Sequence, residues 1–172
     1  MKKIILLLIV LPILGNAQKI DFDKKLKELG IELYPPTPAM GSYVKVVRTG
    51  NLLFFAGHGP TRADNTHIQG KVGKDLTLEQ GREAAKQTGI ALLSTLKAEV
   101  GNLNKVKRII KVLGMVNCTD TFYDQPKVIN GFSDLMVAVF GEKGKHARSA
   151  VGMYMLPSNI AVEIEMVVEV ED

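Results

Sequence analysis

HARSAVGMYMLP, His146–Pro157, is the stretch on which the fold turns. It alternates as a β-strand does, with successive side chains leaving on opposite faces. Ala147, Ser149, Val151, Met153 and Met155 point one way; Arg148, Ala150, Gly152 and Tyr154 point the other. Arg148 therefore has alanine and glycine beside it, and small neighbours leave space around a guanidinium. A planar guanidinium binds a carboxylate through two parallel hydrogen bonds, so a cation on a rigid strand with room beside it suits a small-carboxylate site. The same residue also fits a surface ion pair on an edge strand, and the stretch alone leaves both readings open.

Pro157-Ser158-Asn159 is turn chemistry, and beyond it lies Val162–Val170. Here Val162, Ile164, Met166, Val168 and Val170 share one face, while Glu163, Glu165 and Glu169 share the other. Pairing of these two strands through the short turn would bring Glu163 close to Arg148. A carboxylate near an arginine stays ionised and can orient a water or act as a weak base. Spacing alone does not separate Glu163 from Glu165 and Glu169.

Upstream, Tyr43–Arg48 and Leu52–Ala56 flank the turn Thr49-Gly50-Asn51 and read as a hairpin. Gly57-His58-Gly59-Pro60 ends the second strand, with glycines suited to close backbone approach on both sides of the histidine. Thr61–Asp75 reads mostly as loop, with one short strand around His67–Val72. Thr77 and Gln80 form a capping box, and an apolar stripe from Leu78 to Val100 predicts a helix ended by Gly101. Gly89 on its inner side suits close packing on a sheet. Val106–Asn117 reads as a buried strand. Asp124 or Gln125 caps a second helix, with Pro126 in its first turn, a stripe from Val128 to Phe140, and Gly141 at its end. Asn130 interrupts that stripe. Ile20–Gly30 supports a short helix on Phe22, Leu26 and Leu29, and the proline-rich Tyr34–Ala39 should be extended.

The domain order is thus β-β-α-β-α-β-β. One mixed sheet with two helices packed on one face is the simplest α+β solution. The other face keeps apolar residues with no long helix left to cover them, which predicts a homo-oligomer.

The chain has 172 residues, enough for one domain. Lys2 and Lys3, the apolar run Ile4–Leu14 and Gly15-Asn16-Ala17 have the order of a secretory signal peptide. The run is about half the ~20 residues that span a bilayer. Cleavage after Ala17 is expected, leaving a lead segment at 18–40 and the domain at 41–172, in a periplasmic or secreted protein without a membrane anchor. The formal charge of +4 falls to about +2 without the two lysines. The few aromatics are not interleaved with basic residues, so no nucleic-acid partner is expected. Cys118 is the only cysteine and reads as structural at a strand end. His58, His67 and His146 lack metal-ligand spacing, so no metal is expected. No hydrolase triad or phosphate loop is present.

Taken together, Gly41-Ser42-Tyr43, Phe55-Ala56-Gly57, Asn130 in VING, ARSAVGMYMLP and Glu163–Glu165 resemble the RidA/YjgF family of imine deaminases in order and spacing over roughly residues 40–170. The resemblance implies a chorismate-mutase-like α+β fold and a homotrimer with sites between subunits. It implies hydrolysis of reactive enamine and imine intermediates to 2-keto acids and ammonia, without a cofactor. Carried over, Arg148 clamps the substrate carboxylate, Glu163 positions or activates water, and Tyr43, Gly57 and Asn130 line the pocket. His58 and Ala150 complete that lining at positions where the family commonly has glutamine and cysteine. The other readings carried by the same pocket and surface are a non-catalytic carboxylate-binding trimer, a chaperone-like protein and an RNA-cleaving enzyme.

Overall fold

The computed structural model describes residues 21–171; the signal peptide read over residues 1–17 lies outside them. In chain order the elements are α1 (Phe22–Glu28), β1 (Val46–Thr49), β2 (Leu52–His58), α2 (Leu78–Val100), β3 (Val106–Asn117), α3 (Gln125–Phe140), β4 (Ala147–Met153) and β5 (Val162–Val170). From Val46 onward this is the expected β-β-α-β-α-β-β order. The five strands form one mixed sheet in the order β1-β2-β5-β3-β4. Every neighbouring pair is antiparallel except β3–β4, which is parallel.

Local chemistry sets the helix ends. Thr77 Oγ1 accepts the Gln80 N–H, and Gln80 Oε1 accepts the Thr77 N–H, closing the capping box of α2. Pro126 sits in the first turn of α3, where a missing N–H costs nothing. Asp124 flanks that helix but makes no side-chain cap bond; its carboxylate pairs with Lys127 at 3.0 Å instead.

The two long helices lie on one face of the sheet. Leu92, Leu93 and Leu96 of α2 and Phe132 and Met136 of α3 are fully buried with Leu53, Val112, Val116, Ile164 and Val168 of the strands. The lead segment belongs to the same core. Phe22 and Leu26 are buried, the Phe22 ring meets Phe140 edge-on at 4.9 Å, and Asp23 pairs with Lys97 at 2.6 Å. The strand expected around His67–Val72 is reduced to isolated bridges from Thr61 to His67, Gln69 to Ile160 and Val72 to Leu76 and Cys118.

Three expectations change. The strand containing Arg148 ends at Met153, so Tyr154 and Met155 lie beyond it and are exposed. The Tyr154 carbonyl is taken by the Lys71 ammonium, which draws the chain out of the sheet. Second, β4 does not pair with β5: β3 lies between them, and Pro157–Asn159 carries the chain across the end of β3. Asn117, the last residue of β3 and fully buried, holds this crossover. Its Nδ2 donates to Asn159 Oδ1 at 3.1 Å and to the Ile160 carbonyl at 3.2 Å, and its Oδ1 accepts from Lys71 Nζ at 2.8 Å. Third, Gly89 faces α3 and not the sheet: a side chain there would meet Leu135, Phe132 and Met136.

Gly131 of α3 completes this close helix contact. A Cβ there would overlap the backbone carbonyl of Arg82 in α2, which cannot swing away as a flexible side chain can. Alanine gains about 1 kcal/mol of helix propensity over glycine, but overpacking against backbone costs about 1–3 kcal/mol. Gly131→Ala should therefore lower the urea-unfolding free energy, by about 1 kcal/mol net. An unchanged or raised value would show that the helices part freely.

Candidate functional site

The site residues read from the sequence fall into two groups. Tyr43, Gly57, His58 and Glu163 line one cavity of about 580 Å³. Arg148, Asn130 and Ala150 lie at β4 and α3, outside that lining.

At the cavity, Glu163 stands on the sheet face away from the helices, since its neighbours Val162 and Ile164 are buried on the helix side. Gly57 has no room for a side chain because the Glu163 carboxylate occupies the place of its Cβ. Burial raises the pKa of Glu163, and the neighbouring Glu165 charge adds to the rise. The carboxylate is thus suited to taking and returning a proton.

His58 is buried at the end of β2, just past an irregularity in the β2–β5 pairing. Its Nδ1 lies 2.7 Å from the Ala56 carbonyl and its Nε2 lies 3.0 Å from Thr95 Oγ1 on α2. A carbonyl only accepts, so Nδ1 carries the hydrogen; Nε2 faces the Thr95 hydroxyl, whose single hydrogen also lies within reach of the Ala91 carbonyl at 3.2 Å.

The cavity also holds groups that the sequence reading passed over. Lys45 donates to Thr37 Oγ1 at 2.8 Å, and burial lowers its pKa. Tyr34 donates to the Thr61 carbonyl at 2.5 Å; burial raises its pKa, partly opposed by a hydrogen bond from Gln87. Tyr34 opens the proline-rich stretch Tyr34–Ala39, and Lys45 sits in the Tyr43–Arg48 run read as a strand, where neither carried a site signal.

At the other group, Arg148 Nη1 donates to Asn130 Oδ1 and to Ser133 Oγ, each at 2.9 Å, and Nη2 donates to the Pro126 carbonyl at 3.3 Å. All three acceptors are neutral and belong to α3. Among the described residues no carboxylate forms an ion pair with Arg148. Ala150, two places on, packs toward the core from the same face. Ser133 was missed, although it follows Asn130 by three positions, the spacing that puts two side chains on one helix face.

The expected closeness of Arg148 and Glu163 is not found within the chain. Arg148 pairs with Val112 of β3, and Glu163 with Met115 on the other edge of β3. Two strand spacings, roughly 10 Å, separate them across the sheet, and three residues along β3 add roughly 10 Å lengthwise. They also face opposite sides, Arg148 toward α3 and Glu163 away from both helices.

His58 gives a pH test. Burial holds its pKa at about 4, below the ordinary 6.5, with the Ala56 hydrogen bond opposing and Lys45 reinforcing the drop. A depressed folded-state pKa means full stability above pH 6.5, lost as pH falls toward 4. The loss should reach about 3 kcal/mol. The difference in unfolding free energy between the parent and His58→Gln should shrink or reverse by that amount from pH 7 to 4. A constant difference would contradict a buried neutral imidazole.

Comparison with known proteins agrees with this architecture. A family model described as "YjgF/chorismate mutase-like, putative endoribonuclease" matches residues 23–170. Protein TCP17 of Trypanosoma cruzi is 37% identical over 148 residues, covering 86% of this chain and 92% of that protein. The crystal structure of Atu1372 from Agrobacterium tumefaciens, a protein of unknown function, is 39% identical with a TM-score of 0.81, over 88% of this chain and 94% of that one. A Shewanella oneidensis MR-1 structure, described in the same endoribonuclease terms, is 27% identical with a TM-score of 0.85, over 88% of this chain and all of that one. The mixed α+β sheet, its helix layer and these matches together make the chain a member of the YjgF/RidA family.

Proposed function

We propose that the protein hydrolyses amino-acid-derived imines and enamines to 2-keto acids and ammonia, at sites that two copies of a homotrimer build together. The observation that carries the reading is Arg148. It is a half-buried cation held only by neutral acceptors, and its Nε–H carries no bond among the described residues. Such a group retains its full charge and a free donor edge for a substrate carboxylate.

Glu163 supplies the proton chemistry. Water attacks the imine carbon, a C–O bond forms, and the C=N π pair moves to nitrogen. The carboxylate accepts the water proton. For a protonated imine it then returns that proton to nitrogen, the C–N bond breaks as a lone pair of the hydroxyl oxygen forms the carbonyl, ammonia leaves, and the hydroxyl proton passes to the carboxylate. The raised pKa of Glu163 strengthens it as the base that accepts the water proton. Tyr43, Gly57 and His58 line the pocket on the Glu163 side, and Asn130 and Ala150 on the Arg148 side. No step requires a cofactor.

Two copies are needed because Arg148 and Glu163 face opposite sides of one sheet. The helix-free face offers the means of association: Val47, Phe54 and Val151 are exposed there, in rows with Val167 and Met115. Light scattering should give three times the chain mass, and a monomer at micromolar concentration would remove the shared site.

Turnover is tested with an amino-acid oxidase as imine source and semicarbazide as trap. Arg148→Ala should lose both activity and 2-oxobutanoate binding. Glu163→Gln should bind 2-oxobutanoate and lose about 10²–10⁴ in rate. Reassembly of the two inactive variants as mixed trimers should recover roughly a quarter of parental activity, because some sites then combine an intact Arg148 with an intact Glu163. Binding without turnover in the parent would leave a carboxylate-binding trimer instead.

A further inference from the structure

Behind the Arg148 guanidinium lies a chain of polar contacts on α3 and the segment leading into β4. Ser133 Oγ accepts from Arg148 Nη1 at 2.9 Å and lies 3.1 Å from His146 Nε2. His146 Nδ1 lies 2.7 Å from the Gly144 carbonyl. The edge of the His146 ring meets Phe132, with centroids 5.7 Å apart and planes at 67°.

Protons along this chain have one self-consistent arrangement. The Gly144 carbonyl can only accept, so Nδ1 of His146 carries a hydrogen. In the neutral ring Nε2 is then a bare acceptor, and it takes the Ser133 O–H. The serine has no second hydrogen. Its oxygen therefore presents lone pairs alone to Arg148, and the hydroxyl becomes a fixed acceptor aimed at the guanidinium. Burial keeps the imidazole neutral by lowering its pKa, the Gly144 hydrogen bond working against this and the Arg148 charge adding to it.

We propose that His146 and Ser133 are positioning residues for Arg148, forming a relay from the Gly144 carbonyl through the imidazole and the hydroxyl that fixes the guanidinium for a small carboxylate. The inference rests on the reading of Arg148 as a carboxylate clamp. Its physical sense is preorganisation. A long arginine side chain loses much rotamer freedom when a ligand fixes it, and a relay that fixes it beforehand removes that cost from binding. Asn130 holds Nη1 from one side and Ser133 from the other, so the relay also sets the rotation of the guanidinium plane.

The test uses the intact protein and two measurements. One is the ¹⁵N NMR signature of the Arg148 guanidinium without ligand; the other is calorimetric affinity for 2-oxobutanoate. In the parent, separate slowly averaging Nη–H signals are expected. Ser133→Ala should average them and weaken 2-oxobutanoate binding about tenfold, the scale of one hydrogen bond to a charged group. Ser133→Thr, which keeps the hydroxyl, should restore both. His146→Leu should act like Ser133→Ala, and His146→Gln should rescue it, because the amide oxygen accepts the serine proton as Nε2 does. In a Ser133→Ala background, His146→Leu should add nothing. Unchanged guanidinium signals in Ser133→Ala overturn the relay. Additive losses in the double variant also overturn it, since His146 would then act by packing on Phe132. If Arg148→Ala binds 2-oxobutanoate as the parent does, the clamp reading fails, while the guanidinium signals still decide the relay.

Discussion

The buried amide of Asn117 is the contact on which the order of the sheet depends. It sits at the end of β3, fully enclosed, with its NH₂ group spent on Asn159 and Ile160 and its oxygen on Lys71. Its own N–H donates to the Ala161 carbonyl, and its own carbonyl accepts from Val72. Two separate segments, residues 71–72 and 159–161, thus converge on the end of β3. A buried amide without these partners would be costly, so the crossover and the central place of β5 come as one arrangement. With the chain carried over the end of β3, β4 becomes an edge strand parallel to β3, and β5 is enclosed between β2 and β3.

That order decides where chemistry can happen. An arginine on an edge strand can reach a helix packed beside it, and Arg148 does so at three points of α3. A glutamate on an enclosed strand can only point to one face or the other, and alternation sends Glu163 to the face without helices. The sheet itself lies between the two groups. The same feature that separates them leaves a helix-free face with exposed Val47, Phe54 and Val151. Separation of the polar groups and an exposed apolar face are consequences of a single topology.

Much of this was legible in the sequence where the signal is local. The capping box of Thr77 and Gln80, Pro126 near the start of α3 and the Val/Glu alternation of β5 are each written within a few residues. Arg148 and Asn130 were both marked, one by small strand neighbours and the other by a polar break in an apolar stripe, and they do meet. Strand order was not legible. Ala147, Ser149, Ala150 and Gly152 are small on both faces of β4, so neither its partner strand nor its register follows from its pattern. The short link to β5 suggested a hairpin; its true path depends on a contact from Asn117, some forty positions away in the chain. Tyr34, Lys45 and Thr95 also come together only through folding, from a proline-rich segment, a strand-like run and a helix that sequence pattern does not link.

The partners of Arg148 bear on what the site can hold. A carboxylate beside it would neutralise its charge and take the donor edge that a ligand needs. Breaking such a pair would then be part of the cost of binding. Amide, hydroxyl and peptide oxygens orient the guanidinium without neutralising it. They satisfy part of its hydrogen-bonding capacity, so burial is tolerated, and among the described residues they leave the Nε–H unspent. The environment of Glu163 has the complementary property. Partial burial and the nearby Glu165 disfavour its charge, so a proton offered to it is held and can be given back. A fixed cation with neutral supports and a reluctant carboxylate are the two groups that the proposed hydrolysis of an imino acid calls for, the first to hold a carboxylate and the second to move protons.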